Sequence, residues 1–304
     1  MPAAPICYRS ASMLAGYTQM RIRRLSRPFP SRKKRRLFRP WALVVPIGIL
    51  VVCLPLLRPL HQTFPADDER LRLATIQSIL DRHTFALPSS THDDPLQSPN
   101  LIHIHHKVYS DQPPMLSAIL AGPAWIIGKL GWDLTNDPEV VTYLLTMLAV
   151  TLPVAGAGDL IYRMGRLFEL SRPWRCLLAA TVITCSGLLS YAVVLNAQAP
   201  AAALLIASAA CLVHIEAGKK PRRMVGWIML AGFCAAMSAA LDPIAIFIAA
   251  PLVLVLALTR FSYRFRVGSM ILFLAGAFPV VIAHGAINRS ITRSFIPASV
   301  HHDW

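Results

Sequence analysis

Apolar stretches of helix length recur along this chain from Trp41 to the C-terminal region, and they decide what it can fold into. About 20 apolar residues cross a bilayer core as a helix. Backbone polar groups in lipid must be satisfied within the protein, which leaves helices or closed barrels. The alternating pattern of barrel strands is missing from the sequence, so helices are expected. With 55% apolar and 15% charged residues, the chain reads as an integral membrane protein. The expected fold class is all-α, a polytopic membrane helical bundle.

The clear spans are Trp41 to Leu60, Glu139 to Tyr162, Cys176 to Leu195, Pro200 to Glu216, Val225 to Leu241, Pro243 to Leu258 and Val267 to Ile287. Pro113 to Gly131 is ambiguous, being long enough to cross yet carrying Gly122, Pro123, Gly128 and Lys129. Basic loops favour the cytoplasmic side, while Asp and Glu hardly count. With the N-terminus inside and Pro113 to Gly131 not crossing, the loops around Arg163 to Arg175, Lys219 to Arg223 and Arg260 to Arg266 all lie inside. If that segment crosses, all three lie outside, opposite the basic N-terminus. The first arrangement is self-consistent. It gives about seven transmembrane helices.

The domain plan is then a basic cytoplasmic segment at 1–40, a membrane domain at 41–287 and an outer-side tail at 288–304. The outer loop at 61–138 carries two surface helices, near 68–83 and 113–131. In the first, Leu71, Leu73, Ile76, Ile79 and Leu80 form an apolar face, while Arg70, Arg72 and Gln77 are polar. Such a helix is expected to lie on the membrane surface. Pro88 to Asn100 reads as irregular.

The net charge of +15 is concentrated in the run from Arg21 to Arg39. Beside a first span this run reads as a topology determinant that also touches anionic membrane lipid, rather than as a nucleic-acid site. The segment is too extended for a cleaved signal peptide, so an uncleaved anchor is expected, with a transit peptide as the alternative. The six cysteines have no metal-ligand spacing, and most sit in apolar segments as small buried hydrophobes.

No acidic residue precedes Asp67; then Asp67, Asp68 and Glu69 arrive together at the outer surface. Clustered carboxylates repel one another and cost solvation, which suits a chemical task such as proton abstraction. The plainer reading is a helix start, where carboxylates favour the dipole by about 0.3–1 kcal/mol. Asp111, before the double proline, reads equally as a helix cap or a ligand. His103, His105 and His106 suggest a metal only weakly; Asp242 reads as a helix boundary, and Asp159 as a solvated acid near the inner end of a span. Asn288-Arg289-Ser290 matches the N-glycosylation pattern.

Over roughly Trp41 to Val300 this arrangement resembles the GT-C glycosyltransferases, and within them family 39, the protein O-mannosyltransferases and aminoarabinose transferases. Its members open a surface helix with an Asp-Glu pair, matched by Asp67-Asp68-Glu69. They open a second with Asp/Glu-Lys-Pro-Pro-Leu-Leu, matched by Asp111-Gln112-Pro113-Pro114-Met115-Leu116. The resemblance implies transfer of a sugar from a polyprenyl-phosphate donor to a lipid, glycan or protein acceptor at the outer face. It implies a bacterial cytoplasmic membrane with the active face outward. Asp68, with Asp67 or Glu69, would deprotonate or align the acceptor. Lys107 and Arg72 would contact phosphate, and Asp111, Gln112 and Asn196 would bind donor or sugar. No cofactor is firmly implied, although a divalent metal could assist the leaving phosphate.

The chain departs from the family in three places. Gln112 stands where relatives carry Lys. The turn Asn196-Ala197-Gln198 is neutral where relatives often carry an acid. The chain is C-terminally short against the family. The alternative is therefore an inactive or partner-dependent membrane subunit that binds lipid-linked sugar. A transporter would ask for paired repeats and mid-span polar residues, of which the sequence offers few.

Overall fold

The computed structural model describes residues 47–49, 67–88, 100–217, 221–258, 263–295 and 297. Among the described residues four helices are long and apolar enough to cross a membrane: Pro138–Met164, Gln198–Ile215, Met224–Leu241 and Phe265–Thr292. The protein is thus mostly helical, and its apolar helices mark it as an integral membrane protein. The basic run at 21–39 and the expected first span, apart from helical residues 47–49, lie outside the described residues. So do most of the irregular stretch at 88–100, the loop at 218–220 and most of the segments at 259–264 and 296–304.

In chain order the described elements begin with α1 (Asp67–Arg82), strands β1 (Leu101–Ile104) and β2 (Lys107–Ser110), and α2 (Pro114–Lys129). They continue with α3 (Pro138–Met164), α4 (Arg172–Cys185) and the single turn α5 (Leu188–Tyr191). The last four are α6 (Gln198–Ala217), α7 (Pro221–Leu241), α8 (Ile246–Ala257) and α9 (Tyr263–Thr292). The two helices expected in the outer loop are α1 and α2. The all-α expectation needs one correction, an antiparallel hairpin pairing Leu101 with Ser110 and Ile104 with Lys107. Its turn is His105-His106, both at positive φ (49° and 60°), a two-residue connection that suits strand twist. Nothing in His-His announces such a turn, because its usual residues are Asn and Gly.

The expected span Cys176 to Leu195 is not one helix. α4 has 14 residues and so runs about 21 Å, short of a bilayer core of about 30 Å. It stops where Ser186 Oγ turns back onto the Val182 carbonyl and Gly187 takes φ 76°. The chain then descends through α5 to Ala192, whose carbonyl accepts from Thr151 Oγ1 at 2.8 Å, midway along α3. The expected span Pro243 to Leu258 is likewise short, a 3-10 turn at Pro243–Ala245 followed by the 12-residue α8. Inside α3, Pro153 cannot donate to the carbonyl four residues back, and the preceding residues Met147–Thr151 widen into a π-helical turn.

α1 and α2 do not simply lie on a surface. Leu73 and Ile76 of α1 join Met115, Leu116 and Leu120 of α2 in one apolar core with Val141, Leu145 and Val150 of α3 and Leu195 before α6. Ile291 near the end of α9 packs instead with Ile102, Ile104 and Tyr109 of the hairpin. Asn288 is 0% exposed within α9, which overturns the glycosylation reading for the folded chain. A buried helical amide offers nothing to a transferase.

Candidate functional site

The carboxylate cluster forms the first turn of α1, where the helix dipole favours it. Asp67 opens the helix, and its side chain lies outside the described residues. Asp68 Oδ1 accepts from Asn100 Nδ2 at 2.8 Å, tying the helix start to the entry of the hairpin. Glu69 Oε1 accepts from the Leu195 backbone N–H at 3.3 Å, tying it to the turn before α6. Residues far apart in sequence therefore meet within one helical turn.

Burial pushes the Glu69 carboxyl above its usual range, and the hydrogen bond from Leu195 opposes this only in part. A raised carboxyl favours the folded state fully below the unfolded value near 4.5, and that advantage is lost as pH rises through the folded value. Glu69→Gln keeps an acceptor for Leu195 and removes the ionisation. Its melting temperature in detergent should exceed the wild type's at pH 8, with the gap closing at pH 4. An equal gap at both pH values would rule out burial of the charge as the cause.

Arg72 lies one turn further along α1 and is 2% exposed. Its Nη2 donates to Gln112 Oε1 at 2.8 Å. Loss of hydration pushes the guanidinium down to about 10, against the attraction of Asp68 and then Asp242. It therefore stays charged at neutral pH. Its Nε and Nη1 are buried without a hydrogen-bond partner. The sequence reading counts Arg72 among the polar members of this helix and expects it to contact phosphate; in the fold it is buried against Gln112. Thr75 and Ser78 are also buried on α1, bonded to the Leu71 and Ala86 carbonyls at 2.7 Å each. The helix is covered on both sides because β2, Gln112 and the chain just after α1 pack over it.

Gln112 gains a reason for being neutral. It supplies the acceptor that Arg72 needs, and a lysine there would have none to offer. Lysine would also set two cations together in a poorly hydrated place. The preceding residues fold back on themselves: the Asp111 N–H donates to the Asn100 carbonyl at 2.8 Å, and the Gln112 N–H to Ser110 Oγ at 3.2 Å. Asp111 does not cap α2, whose cap position is Pro113 with no side-chain hydrogen bond. Lys107 is exposed beside the hairpin turn, about 10 Å of strand from Ser110.

Asn196 does not present its amide to a ligand. Its Oδ1 accepts from the Ala199 N–H at 2.8 Å, and its Nδ2 donates to the Tyr191 and Val194 carbonyls at 2.5 and 2.7 Å. It is the cap of α6. Asn196→Ala should therefore cost about 1 kcal/mol of stability, read as a lower melting temperature without a changed ligand affinity.

Of two further participants, Asn100 carries no plain signal in the sequence and Asp242 only that of a helix boundary. Asn100 sits at the end of a Pro- and Ser-rich stretch with no periodicity. Asp242 is the helix boundary expected, accepting from the Ile244 N–H at 3.1 Å, but it also faces the charge of Arg72. Beside Gln112 a small open pocket, with room for about one water molecule, is lined by Thr75, Tyr109, Ser110, Ser117 and Ile291. Burial raises the Tyr109 phenol at its edge. His103 projects from β1, exposed; among the described residues no three His, Cys, Asp or Glu side chains are placed to share a metal ion. No family model, curated protein or solved structure matches the chain.

Proposed function

We propose that this end of the protein transfers a sugar from a polyprenyl-phosphate donor to an acceptor hydroxyl, in the manner of the GT-C enzymes, at the outer face of a bacterial cytoplasmic membrane. One observation carries the reading. Asp68 of one motif and Gln112 of the other meet at the buried cation of Arg72, beside a small open pocket, while Glu69 next to Asp68 holds the turn before α6.

In this reading Asp68 takes the acceptor proton as the hydroxyl oxygen attacks the anomeric carbon. The bond from that carbon to the phosphate oxygen breaks, and the lipid phosphate leaves as an anion. Lys107, exposed on the hairpin, is the cation for that phosphate. Arg72 holds the acids and Gln112 in register rather than meeting the donor directly. Asn196 is left with a capping role. The test is transfer from a radiolabelled polyprenyl-phosphate hexose by membranes expressing the full chain. Counts in product above those of control membranes are expected, and their absence across several donor sugars would remove the catalytic reading.

The second reading, a partner-dependent subunit, is favoured by Gln112 being occupied by Arg72, so that no cation precedes the double proline. Donor binding without turnover, restored to turnover by a co-purifying membrane protein, would select it.

A further inference from the structure

A second cluster of charge lies at the far end of α3. Gln77 Nε2 donates to Thr135 Oγ1 at 3.1 Å, which fixes the start of α3 near α1. The 27 residues of α3 then carry the chain about 40 Å to Met164. There the last turn of α3 holds Arg163, the loop after it Arg166, and the first turn of α4 Arg172 and Arg175. Arg163 is paired, its Nε 2.6 Å from Asp159 Oδ2. Arg166 also feels Asp159, but lies over the Tyr162 ring at 5.9 Å. Arg175 covers the same ring at 4.8 Å. The other acid of the loop, Glu169, is exposed.

Arg175 is the anomaly. It is 8% exposed, and its Nε is buried with no hydrogen-bond partner. Gly165 admits it, since a Cβ there would lie 2.8 Å from Arg175 Cγ. A largely buried guanidinium without an acid is costly, and one aromatic face offsets only part of that cost. An anion beside it would offset the remainder. Phe168 and Trp174, both exposed, flank the two arginines, as aromatic side chains do at the headgroup level. The anion available at that depth is a lipid phosphate, and guanidinium forks suit phosphate oxygens.

We propose that Arg166 and Arg175, stacked on Tyr162, bind the phosphate of an anionic lipid headgroup at the membrane face opposite Asp68. The site is independent of any transfer activity. The test is the melting temperature of the full chain in neutral detergent with added phosphatidylglycerol, phosphatidylcholine or inorganic phosphate. Phosphatidylglycerol should raise it by about 3 °C or more, and the other two should do little. Arg166→Gln, a half-exposed position that folding tolerates, and Arg175→Gln should each lose most of that shift. Arg172→Gln, exposed and off the ring, should keep it. A full shift in both the Arg166 and Arg175 variants would overturn the proposal. So would equal stabilisation by phosphatidylcholine or by free phosphate, or no shift in the wild type.

Discussion

A methyl group added at Gly276 should drive α7 and α9 apart and cost the protein about 3 kcal/mol of stability. A Cβ at that position would lie 2.0 Å from the Met229 carbonyl oxygen, and one at Gly232 would lie 1.9 Å from that of Phe273. Ordinary contact needs more than 3 Å, and the obstacle in both cases is backbone, which cannot rotate away. The two glycines form the closest point of the most extensive helix pair among the described elements. Without a hydrophobic drive in lipid, such a pair relies on close packing. Gly276→Ala and Gly232→Ala should each lower the melting temperature in detergent, and the double variant should lose less than the sum, because one separation relieves both clashes. Gly226 supplies the control. It lies in the same α7 with nothing near its missing Cβ, so Gly226→Ala should be neutral or gain up to about 1 kcal/mol. Identical behaviour of the Gly226 and Gly276 variants would mean the close crossing does not exist. The consequence reaches the candidate site, because Ile291 of α9 lines its pocket.

Asp68→Asn should reduce sugar transfer by about 10²–10⁴-fold while leaving the fold in place, if Asp68 is the base proposed above. The substitution is isosteric and keeps an oxygen for Asn100 Nδ2. At the helix start it forfeits at most about 1 kcal/mol of dipole interaction. A loss of that size in rate with a retained melting temperature separates chemistry from stability. Glu69→Gln should cost far less activity, since that carboxylate is already engaged by Leu195. Asp67→Asn should leave transfer nearly intact. Equal activities of the Asp67 and Asp68 variants would withdraw the assignment of the base, without bearing on the lipid site at the other end of α3.

Much of the helical framework is legible in the sequence because hydropathy over twenty residues is a long, averaged signal. α3, α6, α7 and α9 fall close to the expected spans, and α1 and α2 within a few residues of theirs. The failures are local. Cys176 to Leu195 has the hydropathy of a span, yet a serine bonding back to its own helix and one glycine at positive φ are enough to break it. The hairpin escaped because a His-His turn has no characteristic composition. At the candidate site, Asp68 and Gln112 were visible as motif positions. Asn100 and Asp242 were not, because a single polar residue in a loop announces no partner.

The sequence by itself determined that this chain is a membrane protein of helices, with its acids and its basic loops segregated along the chain. That follows from the cost of bare backbone in lipid, which depends on composition and length alone. Only the tertiary structure decided which polar groups are inside. Arg72 is buried in contact with Gln112, and Asn196 is reduced to a cap. Arg175 is left beneath Tyr162 without an acid. The physical reason is that burial and pairing depend on which distant segments come together. A helix's own periodicity fixes its two faces, but not which of them a hairpin or a neighbouring helix will cover.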